Sequence, residues 1–119
     1  MNEGDEILLI EDDEDKAEII ISILRKNLPG RIRHIEDGQA AMDFLFSEES
    51  RATKLILLDL ILPNVDGIEI LKRIKADPKR SQIPVIILTT SSQTQSYVDS
   101  LGLQPDGYVN KPTRLKNCA

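Results

Sequence analysis

Apolar residues in this chain gather in short unbroken runs, Ile7–Ile10, Leu55–Leu58 and Pro84–Leu88, each followed by a segment with apolar positions three and four residues apart. An unbroken run of four or five suits a strand covered on both faces, and three-and-four spacing suits a helix with one buried face. After the first run, Ala17, Ile20, Ile21, Leu24 and Leu28 mark such a face, and Pro29 and Gly30 end it. Arg31–Ile35 is a weaker second strand, followed by Asp37 as a cap and a helix carrying Ala40, Ala41, Phe44 and Leu45. Past Leu55–Leu58, a turn from Pro63 to Gly67 leads into a helix with Ile68, Leu71, Ile74 and Lys75 that stops near Pro78. Pro84–Leu88 precedes a polar helix from about Gln93 to Leu101, a Pro105-Asp106-Gly107 turn and a short fifth strand, Tyr108–Asn110.

Strands alternating with helices predict an α/β fold, a doubly wound five-stranded parallel sheet. With 119 residues and 13.4 kDa there is room for one core, so residues 1–119 are expected to form a single domain. Aromatic residues are only 3% of the chain, so Ile, Leu and Val must fill that core.

In open α/β sheets the ligand site lies just past the carboxyl ends of the strands. Read in that way, the chain places Glu11, Asp12 and Asp13 after strand one, Asp59 after strand three, Thr89 and Thr90 after strand four, and Lys111 with Pro112 after strand five. Gathered carboxylates repel one another and call for a compensating charge. A hard divalent cation such as Mg²⁺ supplies it, since it takes oxygen ligands and keeps positions open for water and phosphate oxygens. Lys111 adds a second positive charge. Such a site suits phosphoryl transfer, with Asp59 at the end of the central strand as the nucleophile and Thr89 as a hydrogen-bond donor to a phosphoryl oxygen.

The formal net charge of −5 argues against direct nucleic-acid binding. No apolar run reaches the ~18 residues of a membrane span, and MNEGDE is not a signal peptide, so no membrane is expected. One cysteine, Cys118, allows no internal disulfide, and a cytoplasmic location is expected.

The stretches ILLIEDDED, LILLDLILPNVDG, IPVIILTTS and GYVNKP together resemble the receiver domain of two-component response regulators over essentially the whole chain. The resemblance implies the flavodoxin-like strand order 2-1-3-4-5. It makes Asp59 the phosphoacceptor, with Asp12, Asp59 and the main-chain carbonyl of Ile61 binding Mg²⁺ directly and Glu11 acting through water. It also makes Thr89 and Tyr108 the switch pair and Lys111, before a commonly cis proline, the lysine of the site; Asp13 is a weaker candidate for the metal or simply the cap of the first helix. The implied function is a phosphorylation-dependent signalling switch rather than an enzyme. It accepts a phosphoryl group from a sensor histidine kinase or phosphotransfer protein and signals to a downstream target through helix four and strand five. LTTS, EDDED and the FSEESRATK loop resemble the subgroup of stand-alone receivers that includes phytochrome-associated regulators.

The ending TRLKNCA departs from the family, whose fifth helix is expected to be missing or cut short, and the sheet surface left bare would favour a homodimer or exchange of segments. Three rivals remain. A nucleotide or flavin binder needs a glycine-rich loop where this chain has EDDED; a phosphohydrolase needs an acid two residues past Asp59, where Ile61 stands; a pseudo-receiver would lack the acidic residues, Thr89 and Lys111. His34, the lone histidine, is expected in strand two, far from the site.

Overall fold

Side chains alternate across a strand, so each unbroken apolar run feeds two cores at once. In the computed structural model, which describes residues 1–89 and 92–110, β1 (Glu6–Ile10) sends Leu8 and Ile10 to one face of the sheet and Ile7 and Leu9 to the other. On the first face Leu8 and Ile10 join Ile56, Leu58, Val85 and Ile87, covered by α2 (Gly38–Leu45) and α3 (Gly67–Ala76). On the second, Ile7, Leu9 and Leu57 pack against Ala17 and Ile20 of α1 (Glu14–Asn27). Burying one such aliphatic side chain stabilises the fold by roughly 1.5–3 kcal/mol, so these runs are its main support.

The five strands, with β2 (Arg31–Ile35), β3 (Thr53–Asp59), β4 (Val85–Thr89) and β5 (Gly107–Asn110), are all parallel and ordered β2-β1-β3-β4-β5. That is the predicted order, and every predicted strand and helix up to Asn110 is present within a few residues of its expected bounds. A short 3-10 helix, Glu48–Ala52, was not expected; Ser47 caps it by accepting from the amide of Glu49. The predicted cap Asp37 accepts from the Ala40 amide, and Asp13 caps α1 by accepting from the amides of Asp15 and Lys16. The expectations about the fifth helix and the Lys111-Pro112 bond fall on residues 111–119, outside the described residues.

Two tertiary contacts tie helices to the sheet edge. Gly67, the first residue of α3, lies so close to the chain leaving β3 that a Cβ there would sit 2.4 Å from Leu60 Cα and 2.8 Å from the Asp59 carbonyl oxygen. On α4 (Ser92–Ser100), Asp99 accepts a 2.9 Å hydrogen bond from the hydroxyl of Tyr108 in β5. Burial, and after it the Asp99 carboxylate, pushes the Tyr108 phenol up to about 12.

Two outcomes follow. Gly67→Ala drives a methyl group into backbone that cannot yield, and urea unfolding should show a loss of about 2–3 kcal/mol. In a Tyr97→Phe background only Tyr108 absorbs as a tyrosine, and spectrophotometric titration should place its ionisation near 12. Asp99→Asn should bring it down towards the ordinary value. Because the folded value is raised, the contribution to stability is complete below about pH 10 and is lost as pH climbs to about 12.

Candidate functional site

Parallel strands paired in step end in step, and this alone brings the acidic residues together. Ile10 is opposite Leu58 across the β1–β3 ladder, so the next residues, Glu11 and Asp59, leave the sheet side by side. Carboxylate oxygens of Glu11, Asp12 and Asp59 all lie within 4.8 Å of one another. Glu11 is fully buried and Asp59 is 3% exposed, whereas Asp12 faces solvent.

Backbone amides orient two of the three groups. Asp59 Oδ1 accepts from the Ile61 amide at 3.0 Å, and Glu11 Oε2 accepts from the Asp13 amide at 3.1 Å. Glu11 also donates its own amide to the Ile35 carbonyl at 3.3 Å, which prolongs the β1–β2 pairing by one residue past the strand. Glu11 and Asp12 thus differ: the first is packed into the end of the sheet and the second sits at the mouth. Asp13 turns away to cap α1 and is no part of the cluster.

The expectation that His34 lies far from the site is corrected. Its Nε2 is 2.7 Å from the main-chain oxygen of Glu11. The reason is register: His34 pairs with Leu9 in the parallel β1–β2 ladder, so the carboxyl end of β2 reaches the same sheet edge as the cluster. A carbonyl oxygen only accepts, so His34 donates from Nε2. Beyond it, a hydrogen bond with the Glu14 side chain, then burial and the charge of Glu14, raise the Glu36 carboxyl above its usual range. The rim of the site is therefore acidic as well as its floor. His34 was expected far from the site and the Glu14–Glu36 pair was not singled out from sequence; the register of β2 against β1 places His34 at this edge.

Other predicted residues follow the strand ends. The Thr89 backbone closes β4 beside Asn110 of β5, and Asp59 pairs with Leu88; the Thr89 side chain and Lys111 lie outside what the structure describes. Tyr108 is half-buried one strand further out, opposite Ile87. The Ile61 side chain is exposed, and its amide is the group bound to Asp59.

Three carboxylate oxygens converging within 4.8 Å, two of them on buried residues, form a hard-oxygen cluster that fits a divalent metal site. At a separation near 4 Å, like charges cost on the order of 1 kcal/mol per pair in water and about 4 kcal/mol at the effective dielectric of a protein surface. A divalent cation reverses the sign of that term.

Comparison with known proteins agrees with this geometry. The response regulator receiver domain pattern matches residues 7–118. Response regulator Rcp1 of Synechocystis sp. is 37% identical over 116 residues, which cover 93% of this chain and 79% of that protein. The crystal structure of the Mn²⁺-bound form of Rcp1 superposes with a TM-score of 0.80 at 36% identity, over 95% of this chain and 85% of that one. The bacteriophytochrome response regulator RtBRR reaches 0.83 at 33% identity, over 99% and 74% of the two chains. The phosphorylated cyanobacterial phytochrome response regulator RcpA reaches 0.79 at 34%, over 96% and 85%. The similarity thus includes phytochrome-associated regulators, as the LTTS and EDDED stretches implied. Fold, acidic cluster and sequence agree, and this chain belongs to the family of response regulator receiver domains.

Proposed function

We propose that this receiver domain is a signalling switch that takes a phosphoryl group from a phosphohistidine onto Asp59. The single observation that carries this reading is the placement of Asp59 at the end of the central strand, within 4.8 Å of two further carboxylate-bearing residues. A buried carboxylate oriented by the Ile61 amide at Oδ1 has the chemistry of a nucleophile towards phosphorus. That attack forms an acyl phosphate as the phosphorus–nitrogen bond to the donor imidazole breaks, and the bonding pair leaves with the imidazole, which takes up a proton.

The cation that suits the cluster is Mg²⁺, which Asp12, Asp59 and the Ile61 carbonyl would hold directly and Glu11 would hold through water. It would neutralise charge on the transferred oxygens. Thr89 then donates to a phosphoryl oxygen and Lys111 places its ammonium beside it. Movement of Thr89 lets Tyr108 leave Asp99 and turn inward, which changes the surface of α4 and β5 that a downstream target reads. Residues 1–119 form one receiver domain, which acts in the cytoplasm and catalyses nothing beyond its own phosphorylation and dephosphorylation. The donor is a sensor histidine kinase or phosphotransfer protein, and likeness to RtBRR and RcpA makes a phytochrome-type kinase the first to test.

Incubation with Mg²⁺ and acetyl phosphate, followed by intact mass measurement, should add one phosphoryl group to the wild type and none to Asp59→Asn. A wild-type protein that stays unmodified while correctly folded would sink the assignment. Asp12→Asn should act in two directions: by removing one of the repelling charges it raises the thermal midpoint of the metal-free protein, and it weakens Mg²⁺ binding by tenfold or more in calorimetric titration. A variant with unchanged Mg²⁺ affinity would remove Asp12 from the metal site.

A further inference from the structure

The amino ends of the central strands carry a second concave site, on the edge of the sheet opposite Asp59. A cavity of about 490 Å³ opens there, a size that suits a small molecule. Its lining includes Arg51, Lys54, Lys79 and Arg80 against one carboxylate, that of Glu48, in a chain whose net charge is −5. Among the described residues, Arg51, Lys54 and Lys79 make no ion pair and are exposed. Arg80 is committed to the fold: its Nε and Nη2 donate to the carbonyls of Leu45 and Ser47, and Asp77 lies 3.8 Å from its Nη1. It fixes the wall of the cavity, and the other three cations are available to a ligand.

An independent observation lies in the same wall. Thr53 lines the cavity and is 3% exposed, yet its hydroxyl has no hydrogen-bond partner among the described residues. A buried hydroxyl left unpaired costs on the order of 1–3 kcal/mol in protein measurements, so a residue of this kind calls for a partner from outside the chain. The backbone is also irregular at this point. Glu6 pairs with Thr53 and Ile7 with Leu55, so Lys54 is an extra residue inserted in β3. Such bulges re-aim side chains beside functional sites. The carboxylate nearest in register, Glu6, is taken up by Arg33 at 2.7 Å and Arg31 at 3.9 Å, and so leaves the positive character of the cavity intact.

We propose that this cavity is a binding site for a small anion bearing two or more phosphate groups, with Lys54, Lys79 and Arg51 pairing its charges and the Thr53 hydroxyl donating to one of its oxygens. Asp59 lies at the far end of the same strand, about 20 Å away at the usual rise per residue, so the site is separate from the acidic cluster. Its charge has the opposite sign, which keeps the same ligand out of the metal-free acidic site.

Pyrophosphate titrated into the ¹⁵N-labelled, metal-free full chain tests this directly, with inorganic phosphate and with chloride at matched ionic strength as the other arms. The expected result is a saturable shift of the Ser50, Thr53, Lys54 and Lys79 amides, with half-saturation near about 0.1–1 mM for pyrophosphate and weaker for phosphate. Lys54→Gln with Lys79→Gln should weaken binding about tenfold or more, and Lys72→Gln, an exposed lysine on α3, should leave it unchanged. Thr53→Val separates ligand binding from packing. It should raise the thermal midpoint of the unliganded protein, because an unpaired hydroxyl is replaced by a methyl group, and lower pyrophosphate affinity about threefold to tenfold. The proposal is overturned by shifts that follow chloride at equal ionic strength, by shifts centred on Asp12 and Asp59, or by a Lys54→Gln, Lys79→Gln protein that binds like wild type. A Thr53→Val protein with a raised midpoint and unaltered affinity overturns it too.

Discussion

The in-step parallel pairing of β1 with β3 is the constraint on which the rest of this molecule depends. It buries Leu8, Ile10, Ile56 and Leu58 on one face and Ile7, Leu9 and Leu57 on the other, and it delivers Glu11 and Asp59 to the same edge together. A shift of one residue would exchange the two faces and separate the carboxylates. Core and site are therefore consequences of a single register, and the hydrophobic energy that holds the register also holds charges together that would otherwise move apart.

That edge brings like charges together, and neighbouring groups hold them in place. Amides of Ile61 and Asp13 donate to Asp59 and Glu11, and His34 secures the peptide of Glu11 from the neighbouring strand. Asp12 stays at the solvent, where water screens it. Gly67 lets α3 begin hard against the backbone of Asp59 and Leu60, which restricts how far the end of β3 can shift. A binding partner of positive charge acts on a geometry already assembled, so little reorganisation is needed when it arrives.

The two ends of the sheet have opposite chemistry. The carboxyl edge is acidic, with Glu14 and Glu36 adding to Glu11, Asp12 and Asp59, and the amino edge of β3 and β4 gathers Arg51, Lys54, Lys79 and Arg80. Tyr108 and Asp99 join the outermost strand to α4 by one hydrogen bond.

Much of this was legible in the chain itself, because burial on both faces of a parallel strand writes an unbroken apolar run, and the residue after the run marks the sheet edge where ligands bind. Glu11, Asp12 and Asp59 could be grouped on that ground, though it also gathered Asp13, which the structure turns away to cap α1; Asp37 was legible as a cap because its side chain bonds to an amide three residues away. What joins residues distant in sequence was not legible. The contact of His34 with Glu11 spans twenty-three positions and depends on how β2 is registered against β1. The insertion of Lys54 beside the basic cavity has no local signature, since a bulge adds a residue without breaking the run around it. Local sequence determined the elements, their caps and the identity of the charged groups, because those follow from periodicity and near-neighbour hydrogen bonds. Only the tertiary structure decided which of those groups face one another, because register and close approach are set by packing across the whole sheet.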